Sequence, residues 1–124
     1  MTQDDAARSQ LNHSALRLHV AETFWSRLLG LHAIAQLRGD EALLLRPCKA
    51  IHTCFMRKRI DVVFLDAAWC LCRCIHSLPP LRIAWHPLAH MVVELPAGYC
   101  HRHPDYLERI HAALRLRVCP RLLA

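Results

Sequence analysis

Short runs of alternating apolar and polar residues dominate the chain and predict a mainly β domain. Between residues 16 and 21, leucine and valine alternate with arginine and histidine, which is the period of two typical of a half-buried strand. The same alternation, or a short apolar run, predicts further strands at 42–46, 52–57, 60–66, 70–78, 81–85 and 90–95. Many short strands at close spacing favour a compact β-sandwich or a small barrel.

Two segments have a helical period instead. Phe24, Leu28 and Leu31 are spaced for one helix face and Gly30 is a helix-ending residue, so a short helix is predicted over 22–30. A second helix is predicted over 104–116 from a stripe that comprises Tyr106, Leu107, Ile110, Ala113 and Leu114. The predicted fold class is therefore mainly β (α+β), with an N-terminal helix and a C-terminal helix.

The length of 124 residues fits one domain. Residues 1–15 are polar and are predicted to be disordered, whereas 16–124 are predicted to form a single β-rich domain. A hydrophobic content of 54% with 21% charged residues excludes an intrinsically disordered chain. The longest apolar run is the six residues 67–72, far below the roughly 20 that a transmembrane helix needs, so no membrane span is predicted.

Cysteine usage and the N-terminal residues predict a cytoplasmic protein. The seven cysteines cannot all pair within one chain, and residues 1–15 contain no apolar block of the kind that secretory signals have. Free thiols in a reducing compartment are the simplest interpretation. Cysteine is among the most buried residue types, so we expect most of these thiols to fill the core.

The basic charge leaves two interpretations open. Sixteen basic and ten acidic residues give a formal charge of +6. This charge suits contacts with phosphate groups. The same excess of arginine is also expected from the codon bias of a GC-rich genome. The tight cluster Arg57-Lys58-Arg59 is read as a solvated turn, because nucleic-acid binding would also require stacking aromatic residues beside it. We therefore predict no nucleic-acid partner.

Five separate blocks resemble the domain of unknown function 192 family, an uncharacterised group of small β domains. The blocks are Arg27-x-x-Gly30-Leu31, Leu43-Leu44-Leu45-x-Pro47-Cys48-x-x-Ile51-His52-Thr53, Phe55-Met56, Ile60-Asp61-Val62-Val63-Phe64-Leu65-Asp66 and Glu94-Leu95-Pro96-Ala97-Gly98. The resemblance covers residues 16–100 and implies jelly-roll-like packing, without implying an activity. It also implies, at the level of fold analogy alone, a shape shared with ligand-binding and carbohydrate-binding domains. The family usually closes with a last strand, where this chain has the helical pattern of 104–116.

The densest polar block, Cys48-x3-His52-x-Cys54, has two interpretations. A thiolate, an imidazole and a second thiolate, with Met56 on the same face of a predicted strand, would suit a soft metal such as Cu(I) or Zn. Alternatively, His52 is a hydrogen-bonded structural residue and the sulfur-containing side chains fill the core. The run Cys70-x-Cys72-x-Cys74 is predicted to place three thiols on one strand face, as small buried residues.

Two carboxylates lie in apolar strands, where an unpaired charge is costly. Asp61 begins the run Val62-Val63-Phe64-Leu65, and Glu94 follows Met91-Val92-Val93. One hypothesis is a polar cleft for a small ligand; the alternative is that each carboxylate caps a turn or pairs with an arginine. The predicted ligand-binding residues are Arg27, His52, Thr53, Met56, Asp61 and Glu94.

Three hypotheses for function follow. The first is a non-enzymatic binding module for a small polar ligand, such as a carbohydrate, or for a peptide, with no cofactor. The second is a cytosolic metal- or thiol-binding protein that uses Cys48, His52 and Cys54. The third is an accessory protein of a larger assembly, or a homodimer, that associates through the C-terminal helix.

Overall fold

Seven strands and two helices make up the part of the chain that the computed structural model describes, residues 15–21, 39–54 and 56–118. The strands are β1 (Arg17–Ala21), β2 (Glu41–Leu45), β3 (Ala50–His52), β4 (Ile60–Leu65), β5 (Leu71–Leu78), β6 (Ile83–Trp85) and β7 (Met91–Pro96). The helices are α1 (Tyr99–Arg102) and α2 (Tyr106–Val118). The predicted helix at 22–30 and nearly all of the predicted disordered segment 1–15 lie outside the described residues.

Five of the strands form one sheet, in the order β1-β2-β7-β4-β5. Strands β1 and β2 are parallel, and the other neighbours in this sheet are antiparallel. The inner strands β2, β4 and β7 are buried along most of their length, which explains their continuous apolar runs. Strands β3 and β6 pair with each other as a separate two-stranded ribbon.

The large sheet separates two hydrophobic cores. On the helix side, sheet residues such as Val63 and Val93 pack against Ile110 and Leu114 of α2. On the ribbon side, Phe64 and other sheet residues pack with Ile51 of β3 and Ala84 of β6. Because each inner strand supplies alternate side chains to the two cores, the molecule has three layers: helix, sheet and ribbon.

The five-stranded sheet is open, so of the two expected architectures, a β-sandwich or a small barrel, the barrel is wrong. Strands β1 and β5 stand at its two ends and do not pair with each other. Helix α2 covers one face with the predicted apolar stripe, in which Ile110, Ala113 and Leu114 are fully buried. The mainly β fold class and the C-terminal helix are confirmed; the chain also forms the short helix α1 just before it.

Two details of the predicted strands differ from the structure. The strand predicted at 52–57 is only β3, because the chain turns at Thr53, whose carbonyl accepts a hydrogen bond from the Met56 N–H at 3.2 Å. In β5 the register against β4 shifts by one residue between Arg73 and Leu71, as in a β-bulge. Cys72 consequently packs toward the ribbon side and Cys74 toward the helix side, so the predicted single face of thiols is wrong.

Candidate functional site

The predicted ligand residues occupy different layers of the molecule. Arg27 lies outside the described residues. Of the rest, His52 is exposed on the ribbon, Thr53 is buried where the ribbon turns, Met56 is in the ribbon-side core, Asp61 is on the helix side and Glu94 is on the ribbon side of the sheet. The structure therefore does not bring His52, Asp61 and Glu94 together in one cleft.

Thr53 holds the two ends of the ribbon together. Its hydroxyl accepts a hydrogen bond from the Arg82 N–H at 2.9 Å and donates to the Pro79 carbonyl at 2.8 Å. The Thr53 backbone N–H donates to the Arg82 carbonyl at 2.9 Å. The side chain is fully buried, so its polar atoms are engaged with backbone groups, as buried hydroxyls generally are.

Asp61 joins three separate pieces of backbone on the helix side. One carboxylate oxygen, Oδ1, accepts from the Ser77 N–H at 2.9 Å and from the Gly98 N–H at 3.1 Å. The other, Oδ2, accepts from the Cys100 N–H at 2.9 Å. Hydrogen bonds to a charged acceptor are roughly twice as strong as neutral ones, so this carboxylate fixes β5 and the start of α1 relative to β4.

Glu94 is a buried carboxyl group of a different kind. Its cross-strand neighbours are Leu43 on β2 and Val62 on β4, both apolar. The residue is 1% exposed, and its Oε2 has no hydrogen-bond partner. Burial raises the pKa of Glu94 to about 8, because an ion in apolar surroundings loses its hydration. At neutral pH the group is mainly protonated and can both donate and accept a hydrogen bond.

The three predicted metal ligands, Cys48, His52 and Cys54, have different surroundings in the structure. Cys48 is buried in the ribbon-side core and its thiol donates to the Ala50 carbonyl at 3.1 Å. Cys54 is exposed in the turn after β3, and His52 is exposed on the outside of the ribbon. Across residues 15–21, 39–54 and 56–118, no three His, Cys, Asp or Glu side chains are grouped as a metal ion would require.

An exposed apolar patch covers the outer face of the ribbon, and sequence reasoning missed it. Four large side chains between residues 81 and 88 are 60–75% exposed: Leu81, Ile83, Trp85 and Leu88. Strand pairing places Trp85 beside Ala50 and Ile83 beside His52, while Ala84 points into the core. We call the four apolar side chains, with Ala50 and His52, the ribbon face. The sequence did contain a signal for this patch. In β6 the inward-facing residue, Ala84, is smaller than its two outward-facing neighbours, Ile83 and Trp85.

Cations surround the ribbon face. Lys49 donates to the Pro87 carbonyl at 2.8 Å, Arg73 to the Trp85 carbonyl at 3.5 Å and Arg82 to the Leu81 carbonyl at 3.3 Å. All three side chains are exposed. The sequence contains no acidic residue between 42 and 60 or between 67 and 93, so the strands and turns of this layer carry no negative side chain to offset them.

Comparison with known proteins shows the family. The family model for domain of unknown function 192, described as "Uncharacterized ACR", matches residues 6–104, and the chain belongs to this family. The resemblance read from the sequence is thus confirmed. No curated protein matches the chain.

Two solved structures share the fold. A protein of unknown function from Novosphingobium aromaticivorans is 16% identical, with a TM-score of 0.62 over 70% of this chain and 67% of its own. A protein from Sinorhizobium meliloti, proposed to be a transcription regulator, is 19% identical, with a TM-score of 0.62 over 70% of this chain and 73% of its own. At such identities the likeness extends to the fold alone.

Within the described residues, none of the helices has the length and apolar character needed to span a membrane.

Proposed function

We propose that this chain is a non-enzymatic binding module whose ribbon face holds an acidic protein segment that also carries apolar side chains. The observation that carries the proposal is that Ile83 and Trp85 of β6, with Leu81 and Leu88 in the turns on either side of that strand, are each 60–75% exposed. Contiguous exposed apolar surface on a folded domain marks an interaction site. Tryptophan at the centre of such a patch is a frequent energetic anchor in protein interfaces.

Charge supports an acidic partner. Lys49, Arg73 and Arg82 border the ribbon face, and the acid-free stretches 42–60 and 67–93 leave their potential unopposed. Complementary charge at the rim of an interface accelerates association and selects the partner. Carboxylates flanking an apolar anchor would therefore match both parts of this surface.

The kind of apolar side chain favours a protein partner over a nucleic acid. Bases bind to proteins largely by stacking on aromatic rings, and the ribbon face offers one such ring, Trp85. Leu81, Ile83 and Leu88 are aliphatic and suit the aliphatic side chains of a protein. The proposed regulatory role of the Sinorhizobium meliloti protein makes nucleic acid the alternative that an experiment must address.

Binding rather than catalysis is supported by the state of the predicted polar residues. The Thr53 hydroxyl and the Asp61 carboxylate are already engaged with backbone groups. Neither is arranged beside a base and an orienting group in the way that an activated nucleophile requires.

A small polar ligand is the second candidate, and Glu94 favours it. The unpartnered Glu94 Oε2 lies between the sheet and the ribbon, where a hydrogen-bonding ligand would satisfy it. Leaving a buried polar atom unpaired costs about 1–3 kcal/mol, which such a ligand would recover. Since Glu94 is 1% exposed, this candidate requires the ribbon to move away from the sheet.

Selection of short random peptides displayed on phage, against the purified chain, tests the proposal. We expect the enriched peptides to combine aspartate or glutamate with leucine, isoleucine or an aromatic residue. The double variant Ile83→Ser/Trp85→Ser should weaken binding of a selected peptide by about tenfold or more, because each anchor contributes over 1 kcal/mol. The matched control Leu71→Ser/Leu116→Ser changes two exposed apolar residues elsewhere and should leave the affinity unchanged.

Three results would overturn the proposal. Equal weakening by the control variant would show that the ribbon face is not the binding surface. Tighter binding of labelled single-stranded or duplex oligonucleotides, lost in the Ile83→Ser/Trp85→Ser variant, would replace the protein partner with a nucleic acid. Sedimentation that changes from dimer to monomer in the same variant would identify a second copy of this chain as the occupant.

A further inference from the structure

Two cysteines that are distant in sequence meet on the helix side of the sheet. Cys74 on the edge strand β5 pairs with Val63 of β4, and its side chain packs against the helix-side core. Cys100 of α1 is a buried member of that core. The rings of His76, two residues after Cys74, and of His101, next to Cys100, have centroids 4.8 Å apart, so β5 and α1 are adjacent at this pair. Cys74 is only half-buried, so solvent reaches the edge of this pair.

The backbone around the pair is held firmly. The Asp61 carboxylate accepts the Cys100 N–H at 2.9 Å and the Ser77 N–H at 2.9 Å. A single side chain on β4 therefore fixes both the strand that carries Cys74 and the helix that carries Cys100. Fixed backbone on both sides keeps the strand of Cys74 and the helix of Cys100 next to each other. A disulfide can join two cysteines on such neighbouring elements when their Cα atoms lie within about 7 Å.

Polar and titratable groups face Cys74 from three elements. His76 Nε2 lies 3.8 Å from the Cys74 sulfur on β5, the Tyr106 hydroxyl of α2 interacts with that sulfur, and Asp61 faces it from β4. The hydrogen bond from Cys100 is the largest influence and, with Tyr106 and His76, lowers the pKa of Cys74 to about 6, against the opposing effects of burial and of Asp61. The same contact raises the pKa of Cys100.

We propose that Cys74 and Cys100 form a reactive dithiol, which low-molecular-weight disulfides oxidise reversibly to a Cys74–Cys100 disulfide. Cys74 is the attacking residue, since it is the more accessible thiol of the pair and is the one stabilised as a thiolate. Cys100 is the resolving residue. The pair lies on the opposite side of the sheet from the ribbon face, so this site is separate from the proposed binding surface.

The exchange proceeds in two balanced steps. The Cys74 thiolate attacks one sulfur of a disulfide RSSR, which forms a Cys74–S–S–R mixed disulfide and releases RS⁻. The Cys100 thiol then loses its proton to solvent or to RS⁻, and its sulfur attacks the Cys74 sulfur and expels the second RS⁻. The protein dithiol loses two electrons, and RSSR gains them and becomes two small thiols. An excess of small thiol reverses both steps.

The other described cysteines lack this arrangement. Cys48 is buried and donates to the nearby Ala50 carbonyl. Burial, Asp66 and Cys70 raise the pKa of Cys72, which suppresses its thiolate. Cys54 is exposed in a turn and serves as the reference for an ordinary accessible thiol.

Peptide mapping of the full chain treated with oxidised glutathione tests the proposal. After acid quenching and alkylation, we expect the main disulfide to link the peptides that contain Cys74 and Cys100. The Cys100→Ser variant should instead accumulate a stable Cys74–glutathione mixed disulfide, because the second step is lost. The Cys72→Ser variant is the matched control and should form the Cys74–Cys100 link as the wild type does.

A second measurement stays informative if a serine variant fails to fold. The alkylation rate of Cys74 in the wild-type chain, followed by mass spectrometry across a pH series, should have its midpoint near pH 6 rather than near pH 9. Alkylation of the exposed Cys54 in the same samples controls for the activity of the reagent. A Cys74 midpoint near pH 9, or glutathione distributed evenly over the exposed cysteines with no Cys74–Cys100 link, would overturn the proposal.

Discussion

The two faces of the five-stranded sheet each hold a buried carboxyl group, and the two groups have opposite surroundings. On the helix side, Asp61 accepts hydrogen bonds from the backbone of Ser77, Gly98 and Cys100. On the ribbon side, Glu94 faces apolar neighbours and its Oε2 has no partner. Burial alone therefore does not separate a structural acid from a functional candidate; the hydrogen bonds that each one makes do.

The two outer layers, helix α2 and the ribbon, differ in how far their apolar side chains are buried. Helix α2 buries its apolar stripe against the sheet, as an amphipathic helix does in a completed core. The ribbon instead buries Ile51 and Ala84 and leaves its larger side chains, including Trp85, facing outward. Each core thus contains a buried polar atom without a hydrogen-bond partner, Glu94 Oε2 on the ribbon side and the Tyr99 hydroxyl on the helix side. The ribbon side differs in that it also leaves four large apolar side chains exposed.

The largest expected effect is the dependence of the free energy of unfolding on pH, which Glu94 causes. The folded-state pKa is about 8 and the ordinary value is 4.5. Below pH 4.5 the group is protonated in both states and has no effect. Between these values the unfolded chain releases the proton and the folded chain retains it, so rising pH destabilises the fold. The loss is about 1.4 kcal/mol per pH unit at most, or about 5 kcal/mol over the whole window.

The Glu94→Gln variant isolates this effect. Urea unfolding of wild type and variant across the window should give curves that diverge as the pH rises, with the variant the more stable above pH 8. Glu108→Gln, on the exposed surface of α2, should follow the wild type throughout. A constant difference between wild type and Glu94→Gln would show that Glu94 has the same pKa in the folded and unfolded states, and would contradict the account of its burial.

Asp61→Asn should have the next largest effect on stability. It should lower the free energy of unfolding, whereas Glu94→Gln should raise it above pH 8. The variant loses charged acceptors for three backbone N–H groups, and its new amide NH₂ would face one of those donors. We expect a loss of about 3 kcal/mol in the free energy of unfolding, measured by urea denaturation.

Asp66→Asn is the matched control for Asp61→Asn. Its carboxylate accepts from the Ala68 and Cys70 N–H groups, each at 2.9 Å, in an exposed turn. Water can replace those bonds, so the cost should be about 1 kcal/mol or less. Equal losses in the two variants would contradict a special structural role for Asp61.

Thr53→Val should have a smaller effect, about 2 kcal/mol, because it leaves the part-buried Arg82 N–H without its acceptor. The loss should be local to the ribbon. Amide hydrogen exchange should accelerate in β3 and β6, while the centre of β4 stays protected to the same degree as in the wild type. Uniform acceleration across both would mean that the ribbon and the sheet unfold as one unit.

The smallest expected effect on stability comes from Ile83→Ser/Trp85→Ser. Both side chains are largely exposed, so the free energy of unfolding should change by no more than about 0.5 kcal/mol. Thermal unfolding followed by circular dichroism measures this change. A large loss would indicate that the ribbon face stabilises the fold, and it would remove the reason for assigning these residues to binding.

The sequence predicted the strands of the large sheet well, because their apolar runs and alternation follow directly from burial. It predicted that Asp61 and Glu94 are unusual, since a carboxylate in an apolar strand is costly wherever the strand lies. It could not place them on opposite faces, because strand direction and pairing are set by contacts distant in sequence. The bulge at Cys72, and with it the meeting of Cys74 and Cys100, has no local signature for the same reason.

The most direct test of the proposed binding surface is amide chemical-shift mapping of the ¹⁵N-labelled chain, titrated with a phage-selected acidic peptide. We expect the largest shift changes on β3, β6 and the residues around Leu81 and Leu88, with α2 unaffected. Changes that concentrate on α2 instead, or changes that persist in the Ile83→Ser/Trp85→Ser variant, would contradict it.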